Sequence, residues 1–139
     1  DYIIMKQFVK VLLSRGIAKN FFTLNGIYDP WTTQNIIKNF DMIISGRIHG
    51  AVAGLSQTIP AVIIDYGHEP KAHKSIGFAK VVQVEEYVAN PCSVVDLKQK
   101  IENCVTNIHK YKSHLKKKIP EVKNLARKNF ELVKDLINE

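Results

Sequence analysis

One short stretch of this chain sets an arginine and a histidine between two glycines: Ser45-Gly46-Arg47-Ile48-His49-Gly50. An arginine offers a planar fork of N–H donors to a phosphate or carboxylate, and a histidine adds a donor that titrates near neutral pH. The flanking glycines let a ligand come close to the backbone. Residues 41–45 (DMIIS), with an apolar centre, read as a strand leading into this stretch. Residues 46–57, with the small side chains of Gly50, Ala51, Ala53 and Gly54, read as a helix that can lie close against a sheet. The Arg-x-His triplet therefore falls where a strand turns into a helix. First-turn amides of a helix lack intrahelical acceptors, and the helix dipole favours an anion in front of them. The bland alternative is an arginine paired with a nearby carboxylate and a histidine packed in the core.

The elements on either side must position that turn. Ile4, Phe8, Val11 and Leu12 recur at helical spacing, and Gly16 stands where a cap is needed. Residues 21–24 (FFTL) read as a buried strand, and Asp29-Pro30 supplies an N-cap and first-turn proline for a helix ending near Phe40. Residues 60–65 (PAVIID) are apolar up to Asp65 and read as a strand covered on both faces. A short helix is expected over residues 72–76, a fourth strand over 81–84 and a loop over 85–93. Two C-terminal helices follow, divided at Pro120. Strands alternating with helices at this spacing imply βαβ units and an α/β fold with a parallel sheet. In such a sheet ligands bind beyond the carboxyl ends of the strands. Three polar loops leave strands at that edge: Asn25 to Tyr28, Ser45 to Gly50, and Tyr66 to Lys71. The third adds His68, Glu69 and Lys71 beside the anion site, or is a solvated turn. Tyr28 and Trp31 are expected to be buried aromatics in preference to lining a pocket, His73 reads as a surface residue, and His109 and His114 are assigned no chemistry.

With 139 residues, 45% of them hydrophobic and 24% charged, the chain has ordinary globular composition and the length of one domain, 1–139, with residues 94–139 as a helical extension. No apolar run is long enough to span a membrane. The chain opens on Asp1 with no signal-peptide pattern and is expected to start inside a longer protein. Cys92 and Cys104 have no metal-ligand spacing and read as a reduced pair in preference to a disulfide. The net charge of +7 is concentrated: residues 98–134 hold eleven Lys or Arg against three acids, leaving nine against ten elsewhere. That basicity is a solvated helix face or a surface for anionic lipid or an acidic partner. No interleaved aromatics stand ready to stack on bases, so nucleic acid is not expected as a partner. There is no Gly-rich phosphate fingerprint, no Gly-x-Ser-x-Gly and no metal cluster.

Residues 41–71, DMIISGRIHGAVAGLSQTIPAVIIDYGHEPK, resemble the C-terminal domain of the polysaccharide pyruvyl transferase family. That family's pattern runs strand, Ser-x-Arg-Leu-His, small-residue helix, Gly-x-Pro, apolar strand and a Tyr…Lys loop. Ser45, Arg47, His49, Pro60, Tyr66 and Lys71 match it, Ile48 replaces the leucine, and Thr58 stands at the glycine. The resemblance implies a Rossmann-like domain, the C-terminal half of a GT-B-like enzyme whose N-terminal domain forms the other wall of the cleft, so that this half alone is inactive. It implies transfer of pyruvate from phosphoenolpyruvate to a saccharide acceptor as a ketal, in cell-surface polysaccharide synthesis. The expected location is the cytoplasm or the inner face of the membrane, where the charge of the basic C-terminal helices would make the peripheral contact. No cofactor beyond the donor substrate is expected. Arg47 and His49 would hold phosphoenolpyruvate, with Ser45, Gly46, Tyr66 and Lys71 lining the site. His49, Glu69 or His68 would move protons. The alternatives are a nucleotide-sugar glycosyltransferase of the same architecture and a non-catalytic anion-binding or interaction module.

Overall fold

Unbroken apolar character makes residues 61–64 the natural centre of a sheet, and they take that place. The computed structural model describes residues 2–16, 23–24, 26–66 and 74–137. Among them, β1 (Ile43–Ser45), β2 (Ala61–Ile64) and β3 (Val88–Ala89) form a parallel sheet in the order β1-β2-β3. Ile43 lies opposite Ala61, and Ile63 opposite Val88. Ala61 and Val62 are fully buried and Ile63 is 1% exposed, whereas Ile44 on the edge strand is 48% exposed.

Six α-helices are described: α1 (Tyr2–Ser14), α2 (Pro30–Ile37), α3 (Ile48–Leu55), α4 (Lys74–Val82), α5 (Val94–Thr106) and α6 (Ile108–Ile137). α2 starts as its sequence dictates: the Asp29 carboxylate accepts the amides of Trp31 and Thr32, and Pro30 occupies the first turn. α3 packs on β1 and β2 through its small residues, with Gly54 against the Ile43 side chain. α3 and α4 end alike, on a non-glycine residue in the left-handed region: Thr58 (φ 63°) and Gln83 (φ 61°). Each is followed by an amide that reaches back five residues, Ile59 to the Gly54 carbonyl and Val84 to the Ala79 carbonyl. Thr58, which stands at the glycine of the resembled pattern, thus adopts a left-handed backbone that glycine takes without strain.

The first half of α6 closes the core. Tyr111, Leu115 and Ile119 are buried on one stripe, the Tyr111 hydroxyl donates to the Ala61 carbonyl at 3.1 Å, and its ring stacks on Tyr87 with centroids 4.0 Å apart. The His114 Nε2 lies 2.9 Å from the Val82 carbonyl. Burial pushes the Tyr87 hydroxyl up to about 12 and the Tyr111 hydroxyl higher still.

Several expected boundaries move. Residues 81–84 are not a strand: Val81 and Val82 belong to α4, which buries Ala79 and Val82 and turns at Gln83. The third strand lies instead at Val88–Ala89, inside the expected loop, after a 3-10 turn at Glu85–Tyr87. The C-terminal helices divide at Asn107, and Pro120 sits inside continuous α6. Pro120 is exposed, so the carbonyl it leaves unpaired is on the solvent side. Of the expected strand at 21–24, Phe21 and Phe22 lie outside the described residues, while Thr23 and Leu24 are exposed coil. Tyr28 and Trp31 are 42% and 82% exposed, not buried. Both cysteines are free thiols, Cys92 exposed and Cys104 buried.

Candidate anion-binding edge

β1 ends at Ser45 and α3 begins at Ile48, so Gly46 and Arg47 make the whole connection. Ser45 fixes its shape. Its hydroxyl donates to the Arg47 carbonyl at 2.8 Å and accepts the Arg47 amide at 3.2 Å. The Arg47 carbonyl in turn accepts the amides of Gly50 and Ala51. Arg47 occupies the N-cap with extended backbone (φ −110°, ψ 128°), and its side chain makes no cap hydrogen bond. The amides of Ile48 and His49 stand in the first turn, where a helix offers no acceptor. The side chains of Arg47 and His49 are both exposed at this end, so His49 is not a packed core histidine.

Two glycines here are steric requirements. A Cβ on Gly50 would stand 2.5 Å from Ser45 Oγ, so the Ser45 bridge needs a bare Cα at that point of α3. A Cβ on Gly46 would collide with the Tyr66 ring. Tyr66, just past β2, therefore lies directly over the β1–α3 turn and joins two of the expected binding loops. The structure thus brings together Ser45, Gly46, Arg47, His49 and Tyr66. His68, Glu69 and Lys71 lie outside the described residues.

Sequence reasoning missed a neighbouring cleft of about 590 Å3 beyond β2 and β3, lined by Asp65, Ile76, Asn90, Ser93, Asp96 and Lys100 among others. Its floor is a knot of local bonds. Ser93 caps α5 by accepting the Asp96 amide, and the Asp96 carboxylate accepts the Asn90 amide at 2.8 Å. The signal was present as Ser-x-x-Asp at residues 93–96, a capping pattern, after an Asn-Pro turn.

Chemically, the turn offers a guanidinium, an imidazole and helix N-terminal amides at the carboxyl edge of a parallel sheet, a set suited to a small ligand carrying phosphate or carboxylate. An α/β protein of this kind fits many transferases, and the comparison with known families narrows the class. Residues 1–68 match the family model of polysaccharide pyruvyl transferase, a transferase family. The match contains the whole turn from Ser45 to Gly50 and bears out the resemblance over residues 41–68, with Lys71 beyond its end. No curated protein and no solved structure matches the chain.

Proposed function

We propose that this chain supplies the phosphoenolpyruvate-holding wall of a polysaccharide pyruvyl transferase, as the Rossmann-like C-terminal half of a GT-B-like enzyme. One observation carries the reading. The Ser-x-Arg-x-His turn, inside the stretch that matches the family, stands at a strand-to-helix junction on the carboxyl edge with Arg47 and His49 exposed. Phosphoenolpyruvate carries a phosphate and a carboxylate, so its site needs several cationic or N–H donors. Arg47, the first-turn amides of α3, His49 and Lys71 are the proposed set, with Tyr66 as lining.

Making a ketal from phosphoenolpyruvate requires a proton at the methylene carbon, loss of a proton from each attacking sugar hydroxyl, and departure of phosphate. In this scheme His49 donates to the leaving phosphate, and Glu69 or His68 serves the acceptor hydroxyls and the methylene carbon. The saccharide enters from the side of the facing domain.

Binding of phosphoenolpyruvate to the whole enzyme tests the proposal. Charge-assisted bonds from a forked arginine contribute about 1.5–3 kcal/mol, so Arg47→Ala should weaken binding about ten- to a hundredfold. Arg47→Lys should recover only part, because an ammonium cannot reproduce the planar fork. Circular dichroism on each variant separates binding from folding. A folded Arg47→Ala protein that binds phosphoenolpyruvate as before would sink the reading. So would a nucleoside diphosphate that binds this edge better than phosphoenolpyruvate does.

A further inference from the structure

α6 is buried for only its first half. Tyr111, Leu115, Ile119 and Val122 recur every three or four residues and face the core. The same stripe continues through Ala126, Phe130, Val133 and Ile137, one helical face by spacing. From Lys123 onward every described residue of the helix is exposed. Phe130 is 79% and Ile137 76% exposed, and Leu125, Leu132, Val133 and Leu136 are exposed beside them. An apolar arc of fifteen residues, about 22 Å long at 1.5 Å per residue, is left without cover.

Charge decides what would cover it. At 100° per residue, Lys123, Arg127 and Lys134 fall in one row along the border of the arc, with Lys128 on its far side. None of these four cations has an ion-pair partner among the described residues, in contrast to Lys118, which holds Glu121 at 2.9 Å. Only Glu131 and Asp135 oppose them in residues 123–137. A second copy laid on this face would bring two positive surfaces together. An anionic bilayer offers both things the face lacks, apolar depth for the arc and negative headgroups for the row. No described helix is long and apolar enough to cross a membrane, so the helix would lie in the interface plane.

We infer that residues 123–137 of α6 form an in-plane docking helix for anionic lipid, with the apolar stripe immersed and Lys123, Arg127 and Lys134 among the headgroups. The surface is confined to the distal half of α6, since the stripe of the proximal half is committed to the core.

The test is co-sedimentation of the full chain with vesicles of phosphatidylcholine mixed with phosphatidylglycerol, and with vesicles of phosphatidylcholine alone. Binding to the mixed vesicles should fall with added salt, and the neutral vesicles should bind far less. Replacing Lys123, Arg127 and Lys134 together by glutamine should lower partitioning roughly a hundredfold. Phe130→Ser with Val133→Ser should lower it without changing the salt dependence. Every substituted side chain is exposed, and circular dichroism confirms the fold of each variant. Absence of binding to the mixed vesicles, equal binding to both kinds, or binding indifferent to both sets of substitutions overturns the inference. A concentration-dependent dimer abolished by Val133→Ser would also overturn it and give the stripe to a second copy.

Discussion

Gly50→Ala should change sign according to what stands at position 45. In a helix, alanine is preferred to glycine by about 0.5–1 kcal/mol, so the substitution alone should stabilise α3. The new Cβ, however, would meet Ser45 Oγ at 2.5 Å. To make room the hydroxyl must rotate away, giving up its bonds to the Arg47 carbonyl and amide. Two such bonds contribute about 1–3 kcal/mol together, which outweighs the propensity gain. Gly50→Ala should therefore destabilise the wild type by up to about 2 kcal/mol, or several degrees in Tm for a chain of this size. In a Ser45→Ala background the nearest Ser45 atom left is the Cβ at 3.4 Å, an ordinary contact, and the bonds are already gone. There the same substitution should stabilise by about 0.5–1 kcal/mol. Urea unfolding of the wild type, both single variants and the double variant gives the coupling directly. If Gly50→Ala raises stability equally in both backgrounds, Ser45 does not hold the turn in the way described.

Thr58 stores backbone strain at φ 63°, where an L-residue costs about 1–2 kcal/mol. Thr58→Gly should return roughly 0.5–1 kcal/mol after the entropy of the unfolded glycine is counted, read as a higher urea midpoint; no gain would mean the site carries no strain. Cys104 is fully buried, and burial pushes its thiol up to about 11. A thiol reagent at about pH 8 should label Cys92 in the native protein and Cys104 only after unfolding, and rapid labelling of both would contradict the packing of α5. The Thr32 hydroxyl, and then the Thr32 amide, hold the Asp29 carboxyl below the usual carboxylate range. Its contribution to α2 is therefore present above the unfolded carboxylate value of about 3.9 and lost as pH falls through the lower folded value. An NMR titration of Asp29 with a midpoint at or above the unfolded value would refute the cap.

What could be read in advance was whatever a single local pattern determines. Asp29-Pro30 places the start of α2 because cap chemistry is contained in two residues, and the unbroken apolar run places β2 because only a doubly covered strand needs one. The turn at Arg47 was legible for the same reason: strand, glycine, cation and small-residue helix are contiguous. The failures lie where tertiary packing chooses between local options. Residues 81–84 have the composition of a short strand, but Val82 completes the buried face of α4, and the ladder passes instead to Val88 and Ala89, two residues that no periodicity can mark. Pro120 reads as a boundary, yet the stripe formed by Leu115, Ile119 and Val122 holds the helix together across it. The roles of Gly50 and Tyr66 are contacts between side chain and backbone, and no spacing in the chain foretells them.

α6 is one helix by its backbone and two by its protection from solvent. Amides up to Val122 are backed by Tyr111, Leu115 and Ile119 in the core beside α4 and α5, so their exchange with deuterium should require opening of the core. Beyond Val122 each turn rests on its own hydrogen bonds, and the amides should exchange at the rate at which an isolated helix end frays. Trypsin would meet Lys123, Arg127, Lys128 and Lys134 in that half and could trim it turn by turn, leaving the domain folded. Whatever covers the distal turns therefore also decides how long they survive a protease.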